Sequence, residues 1–240
     1  MVGRASALLA LAAALVGWFE LSPHLGGLAL WPSVLVVSFA LMPAFFALSW
    51  IALPLRQNRR LVAICAALVA LALLLSLINA PVFSNIAKFA AVTTAGWAFL
   101  TLFESVSWVV TVALIIPFVD AYSVWRGPTH AITTGHPAVF STLSIAFVTP
   151  GGVARLGLPD VLFFSVFLAA SARFALRPGA TWVAMMIGLG LTMVLTTIWA
   201  TNGLPALPGI SLGFLVANAD LLWRRRTRAG AQPRAEASSG

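Results

Sequence analysis

Apolar residues run along this chain in long blocks, and the polar positions fall almost entirely in the joints between them. The blocks cover residues 5–21, 30–53, 61–80, 83–103, 105–125, 158–176, 180–200 and 206–223. Each is close to the roughly 20 residues that a helix needs to cross a bilayer, so the pattern predicts eight spanning helices. The first block starts after Met1–Arg4 and runs into Gly17-Trp18-Phe19-Glu20 without a small-x-small cleavage site, so it is read as a helix and not as a leader. The longest joint, 126–157, holds Gly127-Pro128, Gly135-His136-Pro137 and Pro150-Gly151-Gly152. Its apolar middle, 138–148, is too short to span and is expected to be re-entrant, interfacial or cavity-lining. Ala184, Gly188 and Gly190 on the seventh block suggest close helix packing.

Composition agrees with the pattern. Of 240 residues, 61% are hydrophobic and only 8% charged, where a soluble domain carries about 25%. The expected fold is therefore all-α and polytopic: one transmembrane domain over 1–223 with a basic tail, 224–240, expected to be disordered and cytoplasmic. The net charge of +8 sits at joints and in that tail, where it sets topology and meets lipid headgroups, so nucleic acid is not an expected partner. With the N-terminus inside, Arg4, Arg56, Arg59, Arg60, Arg173, Arg177 and Arg224–Arg226 all lie on the cytoplasmic side. The other side keeps Arg126 and Arg155, with Lys88 just inside the fourth span. Both termini are thus expected in the cytoplasm, and the Arg, Ala and Gly bias suits a prokaryotic plasma membrane. The single cysteine, Cys65, excludes an internal disulfide.

Six acids remain to be placed. Glu20, Glu104 and Glu236 sit at ends or in the tail, and Asp220 precedes Arg224 by one helical turn. Asp120 and Asp160 differ, because each lies within an apolar segment. The two segments run antiparallel across the 126–157 joint, so both aspartates reach the same side of the membrane at similar depth. Carboxylates inside a bilayer cost about 2.5–3.5 kcal/mol on insertion scales and face a cavity or a partner. Local alternatives stay open: Leu158-Pro159-Asp160 is an ordinary helix start, and Asp120 lies about a turn and a half from Arg126. On the same side, Asn202-Gly203-Leu204-Pro205-Ala206-Leu207-Pro208 opens the last segment with two prolines and unpaired backbone. His24, His130 and His136 lack the spacing of a zinc site, so no metal and no cofactor are expected.

Asp120-Ala-Tyr-Ser-Val, Leu156-Gly157-Leu158-Pro159-Asp160 with Ser165 five residues on, and Pro205-Ala206-Leu207, in this order, resemble the presenilin and signal peptide peptidase family of intramembrane aspartyl proteases. The resemblance covers 105–223; residues 1–104 match only as hydrophobic helices. It implies a presenilin-like bundle, usually of nine spans where eight are counted here, with Asp120 and Asp160 catalytic. It also implies that Gly157, Leu158, Pro159, Pro205, Ala206 and Leu207 bind substrate, namely transmembrane helical peptides or signal-peptide remnants, with room for a homo-oligomer in the bilayer. Val119 stands where the family has a tyrosine, a ring that Tyr122 is expected to replace if anything does, and Pro159 replaces the second glycine of Gly-x-Gly-Asp. Two other readings remain: a cation- or proton-coupled transporter using the same aspartates, and an inactive homologue that binds membrane helices without cutting them.

Overall fold

The computed structural model describes residues 2–135, 137–199 and 204–236. His136 and the Asn202-Gly203 pair lie outside the described residues. Every apolar block falls on a helix. These are α1 (Val2–Leu21), α2 (Leu30–Val36) continued through a π turn into α3 (Met42–Ala52), α4 (Leu61–Leu77), α5 (Pro81–Leu100) and α6 (Val106–Trp125). The 126–157 joint contains α7 (Pro128–Gly135) and α8 (Pro137–Thr142), and α9 (Leu158–Arg173), α10 (Pro178–Ile198) and α11 (Leu207–Glu236) follow it. Four stretches, Gly3–His24, Leu30–Gln57, Val106–Trp125 and Pro178–Ile198, are long and apolar enough to cross a membrane. The chain is an all-α polytopic membrane protein. Helix α11 runs on past Arg224–Arg226 to Glu236.

In one place the helical pattern breaks. Instead of a single apolar piece over 138–148, the joint ends in a β-hairpin, β1 (Ser144–Thr149) against β2 (Gly152–Gly157). The strands are antiparallel, with Ser144 opposite Gly157 and Thr149 opposite Gly152. The period is two: Ile145, Phe147 and Leu156 are buried on one face, while Arg155 and Val153 lie exposed on the other. Small apolar residues at Ala146 and Val148 hide that alternation in the sequence.

Polar side chains of α5 pin the hairpin. Asn85, 3% exposed, donates to the Ala146 carbonyl at 2.9 Å and accepts from the Ala146 N–H at 2.8 Å, so its amide completes one edge of β1. Trp18 Nε1 of α1 donates to the Val148 carbonyl at 2.8 Å. Asn85→Leu should therefore leave two buried backbone groups unpaired, at about 1–3 kcal/mol each. A fall in the thermal midpoint in detergent and new proteolysis within 144–157 are expected; an unchanged midpoint would rule out Asn85 as the anchor.

Helix α9 lies at the centre. It is apolar all round, and Val161 and Phe164–Ser171 are buried, as expected of a helix with no polar face. Phe164 meets Phe46 of α3 at 4.2 Å, and Phe167 stacks on Phe214 of α11 at 5.0 Å. Phe45 gathers Phe19, Phe89 and Phe147 around it, joining α1, α5 and β1 in one aromatic cluster. A Cβ at Gly96 of α5 would lie 2.7 Å from the Leu162 carbonyl, so α5 and α9 touch backbone to backbone there. At the opposite end, Arg173 donates to the Leu100 carbonyl and Arg225 to the Phe174 carbonyl, closing two helix C-termini with cations. Asp220, whose spacing pointed to Arg224, receives both terminal nitrogens of Arg177 at 2.8 and 2.7 Å.

Candidate functional site

Three chain segments converge at one end of α9. The first is α6, which is exposed over most of its surface, with only Val109 and Ala113 buried. Pro117 lies inside it, three residues before Asp120. Proline has no N–H for the Ala113 carbonyl, which loosens the helical ladder just before the carboxylate. The second is the start of α9, where Gly157 is the N-cap, Pro159 lies in the first turn and Asp160 is the first-turn acid. The third is the start of α11, where Ala206 and Leu207 are buried.

Asp120 crosses from α6 to α11. Its Oδ2 accepts the Leu207 N–H at 3.0 Å, and the Ala206 amide also faces the carboxylate. The first amides of a helix have no partner within it. Asp120 supplies one from 87 residues away in sequence, and an anion is favoured at that positive helix end. Pro205-Ala206-Leu207-Pro208 is thus a helix start capped in trans, and the two prolines cost nothing where no intrahelical donor is needed.

Asp160 turns back on the N-cap of its own helix, interacting with the Gly157 backbone in the manner of a third-position acid in a capping box. The carboxylates of Asp120 and Asp160 lie within range of each other's charge. Both residues are half-buried.

The remaining expected site residues divide. Gly157 lies directly against Asp160: a Cβ there would stand 3.1 Å from Oδ2. Leu158 donates its N–H to the Leu143 carbonyl at 3.1 Å, tying α9 to the end of α8. Pro159 is exposed, and in the first turn its missing N–H is no defect, so the departure from Gly-x-Gly-Asp is sterically accommodated. Pro205 lines an apolar groove of about 540 Å³ between α10 and α11. Tyr122 is 65% exposed and about 200° round the helix from Asp120, so its ring lies off the face that carries the carboxylate. Asn85 escaped the sequence reading, and Lys88 entered it only as a charge that helps set topology. Polar residues three apart within an apolar segment were the available signal, since such groups rarely face lipid.

Gly157 has φ −62° and ψ 146°, which alanine adopts without strain. Gly157→Ala should therefore act on the Asp160 carboxylate and not on the backbone. A shift of a few tenths of an ångström is expected to lower any turnover that depends on Asp160 by about tenfold or more, with the thermal midpoint little changed. Equal rates for the two proteins would mean that the carboxylate has slack.

No family model matches the chain. Over 87 residues, 35% of this chain, it is 33% identical to Presenilin-A of Dictyostelium discoideum. The match takes in 14% of that protein's length, so the two are alike over a small part of the relative. This partial likeness and the helical membrane architecture fit the presenilin family loosely.

Proposed function

We propose that the chain is an intramembrane aspartyl endopeptidase, with Asp120 and Asp160 as the catalytic pair and residues 105–223 as the catalytic helices. The observation that carries this reading is the placement of two carboxylates from separate helices within range of each other's charge, one of them capping the start of α11. In the proposed reaction the two carboxyl groups share a proton and titrate as a unit. One takes a proton from water while the other, protonated, polarises the peptide carbonyl, so neither a metal nor a covalent intermediate is required.

A helical substrate must unwind locally before water reaches a peptide bond, and the freed amides then need partners. The sheet has two strands only among the described residues, and β2 leads straight into Gly157 and Asp160 with its outer edge unpaired by any strand. An extended peptide lying along that edge would find backbone partners beside the carboxylates. In this reading, Gly157, Leu158 and Pro159 border the substrate on one side and Pro205, Ala206 and Leu207 on the other. Arginine placement supports cytoplasmic termini and substrates with a cytoplasmic N-terminus, such as signal-peptide remnants.

The test is purified protein in detergent with a panel of transmembrane peptides, its products read by mass spectrometry. Cleavage inside the apolar segment, lost in Asp160→Asn, is the expected result. Cleavage that survives in that variant would overturn the reading.

A further inference from the structure

Near the aspartates lies a pair of cations that the proposed peptide hydrolysis does not use. Lys88 of α5 donates from Nζ to the carbonyls of Ser144, Thr142 and Ser141, at 2.9, 3.4 and 3.5 Å. Arg155 of β2 reaches the same corner, its Nη1 standing 3.5 Å from Ser144 Oγ. The two side chains are close enough to feel each other's charge. Neither has an acidic partner among the described residues; the Arg177–Asp220 ion pair lies at the far end of α9. Two like charges at one corner, with Lys88 half-buried and Arg155 exposed, repel each other unless an anion joins them. Carbonyl oxygens satisfy the donors of Lys88 but bring no net charge. Arg155 keeps most of its guanidinium free, in the fork geometry that suits a carboxylate.

Position identifies the anion. Ser144 is paired with Gly157, and the Cβ direction of Gly157 points at Asp160 Oδ2. Arg155 and Gly157 share one face of β2, one side-chain repeat apart, about 7 Å. A peptide that passes Asp160 along this strand therefore brings its neighbouring residues to the cation pair. Phospholipid phosphate is the other common anion in this setting, but nothing ties it to the strand that leads into Asp160.

We propose that Lys88 and Arg155 form a subsite for a peptide carboxylate, an Asp or Glu side chain or a free C-terminus, within about four residues of the bond to be cut. This rests on the peptidase reading for its consequence, but not for its test. The test uses the full-length chain carrying Asp120→Asn and Asp160→Asn, bound to fluorescent transmembrane peptides in nanodiscs made with and without phosphatidylglycerol. A single Glu is scanned along the peptide against Gln at the same position, and each peptide is made with a C-terminal acid and a C-terminal amide.

At one position or two adjacent ones, the Glu peptide should bind about tenfold more tightly than its Gln counterpart, the size expected of one charge-assisted contact. If the C-terminus is the group recognised, the acid and amide forms differ instead. Adding Arg155→Gln should bring the ratio to one. Because Arg155 is exposed, the thermal midpoint should not move, which separates loss of the subsite from loss of the fold. Lys88→Met should lower the ratio as well, with a lower midpoint because it also frees three carbonyls. Equal affinities at every position, or a preference that survives Arg155→Gln, would overturn the proposal. So would Arg155-dependent retention of phosphatidylglycerol without any peptide preference, which would assign the pair to lipid. If the native chain cuts no peptide yet the Arg155-dependent preference persists, the peptidase reading fails and the carboxylate subsite stands.

Discussion

Asp120→Asn should abolish peptide cleavage and leave the protein folded, whereas Asp120→Ala should damage both. The side chain does two separable things. Its Oδ2 accepts the Leu207 amide at 3.0 Å, and in the proposed reaction its charge moves a proton. Asparagine keeps an acceptor oxygen in the same place but cannot exchange the proton, so cleavage should fall on the order of 10²–10⁴-fold. Alanine removes the acceptor as well. Leu207 is only 2% exposed, so its N–H would be left without water or partner at about 1–3 kcal/mol. The thermal midpoint should accordingly hold in Asp120→Asn and fall in Asp120→Ala. If both variants melt alike, the cap on α11 is unimportant. If Asp120→Asn still cuts, the carboxylate pair is not the catalyst.

Gly209→Ala should be nearly as damaging, although Gly209 itself has no side chain to take part in chemistry. Helices α10 and α11 cross where Gly188 meets Gly209 and Ala184 meets Gly213. A Cβ on Gly209 would stand 2.6 Å from the Gly188 carbonyl and 3.0 Å from Thr192 Oγ1. The nearest obstacle is backbone, so no side chain can swing aside, and the helices must part. Gly209 follows Leu207 by two positions, so the displaced end of α11 carries the Leu207 amide away from Asp120. Misplacement near 1 Å costs roughly 10²-fold in rate, and a lower thermal midpoint should accompany it. Gly190→Ala is the control. Its nearest neighbours, around Phe39 and Ser38, begin at 3.5 Å, an ordinary contact, so activity and midpoint should stay close to those of the native chain. Equal effects at Gly190 and Gly209 would remove the close crossing from the explanation.

The sequence was most informative where one residue type carries one physical demand. Lengths of apolar chain located the long helices, since lipid leaves the backbone few other ways to satisfy itself. Ala184 and Gly188 on α10 announced a close helix crossing, and it is there against Gly209 and Gly213. The hairpin was hidden because its outward positions include Ala146 and Val148, which erase the contrast that a period of two needs. The ion pair of Asp220 was out of reach of spacing alone: the i, i+4 rule sees one helix, and Arg177 comes from the joint before α10.

By itself, then, the amino-acid sequence determined that this protein is a polytopic helical membrane protein, and it singled out two aspartates as the acids within apolar segments whose position needed explaining. It could not determine what those aspartates touch. That Asp120 caps a helix beginning 87 residues later, that Asp160 leans on Gly157, and that Lys88 and Arg155 share a corner of the hairpin are facts of tertiary structure. The reason is physical. Hydropathy is a local property summed along the chain, whereas a carboxylate's partners are chosen by how helices pack. That packing rests on glycine contacts and phenylalanine clusters between segments far apart in sequence.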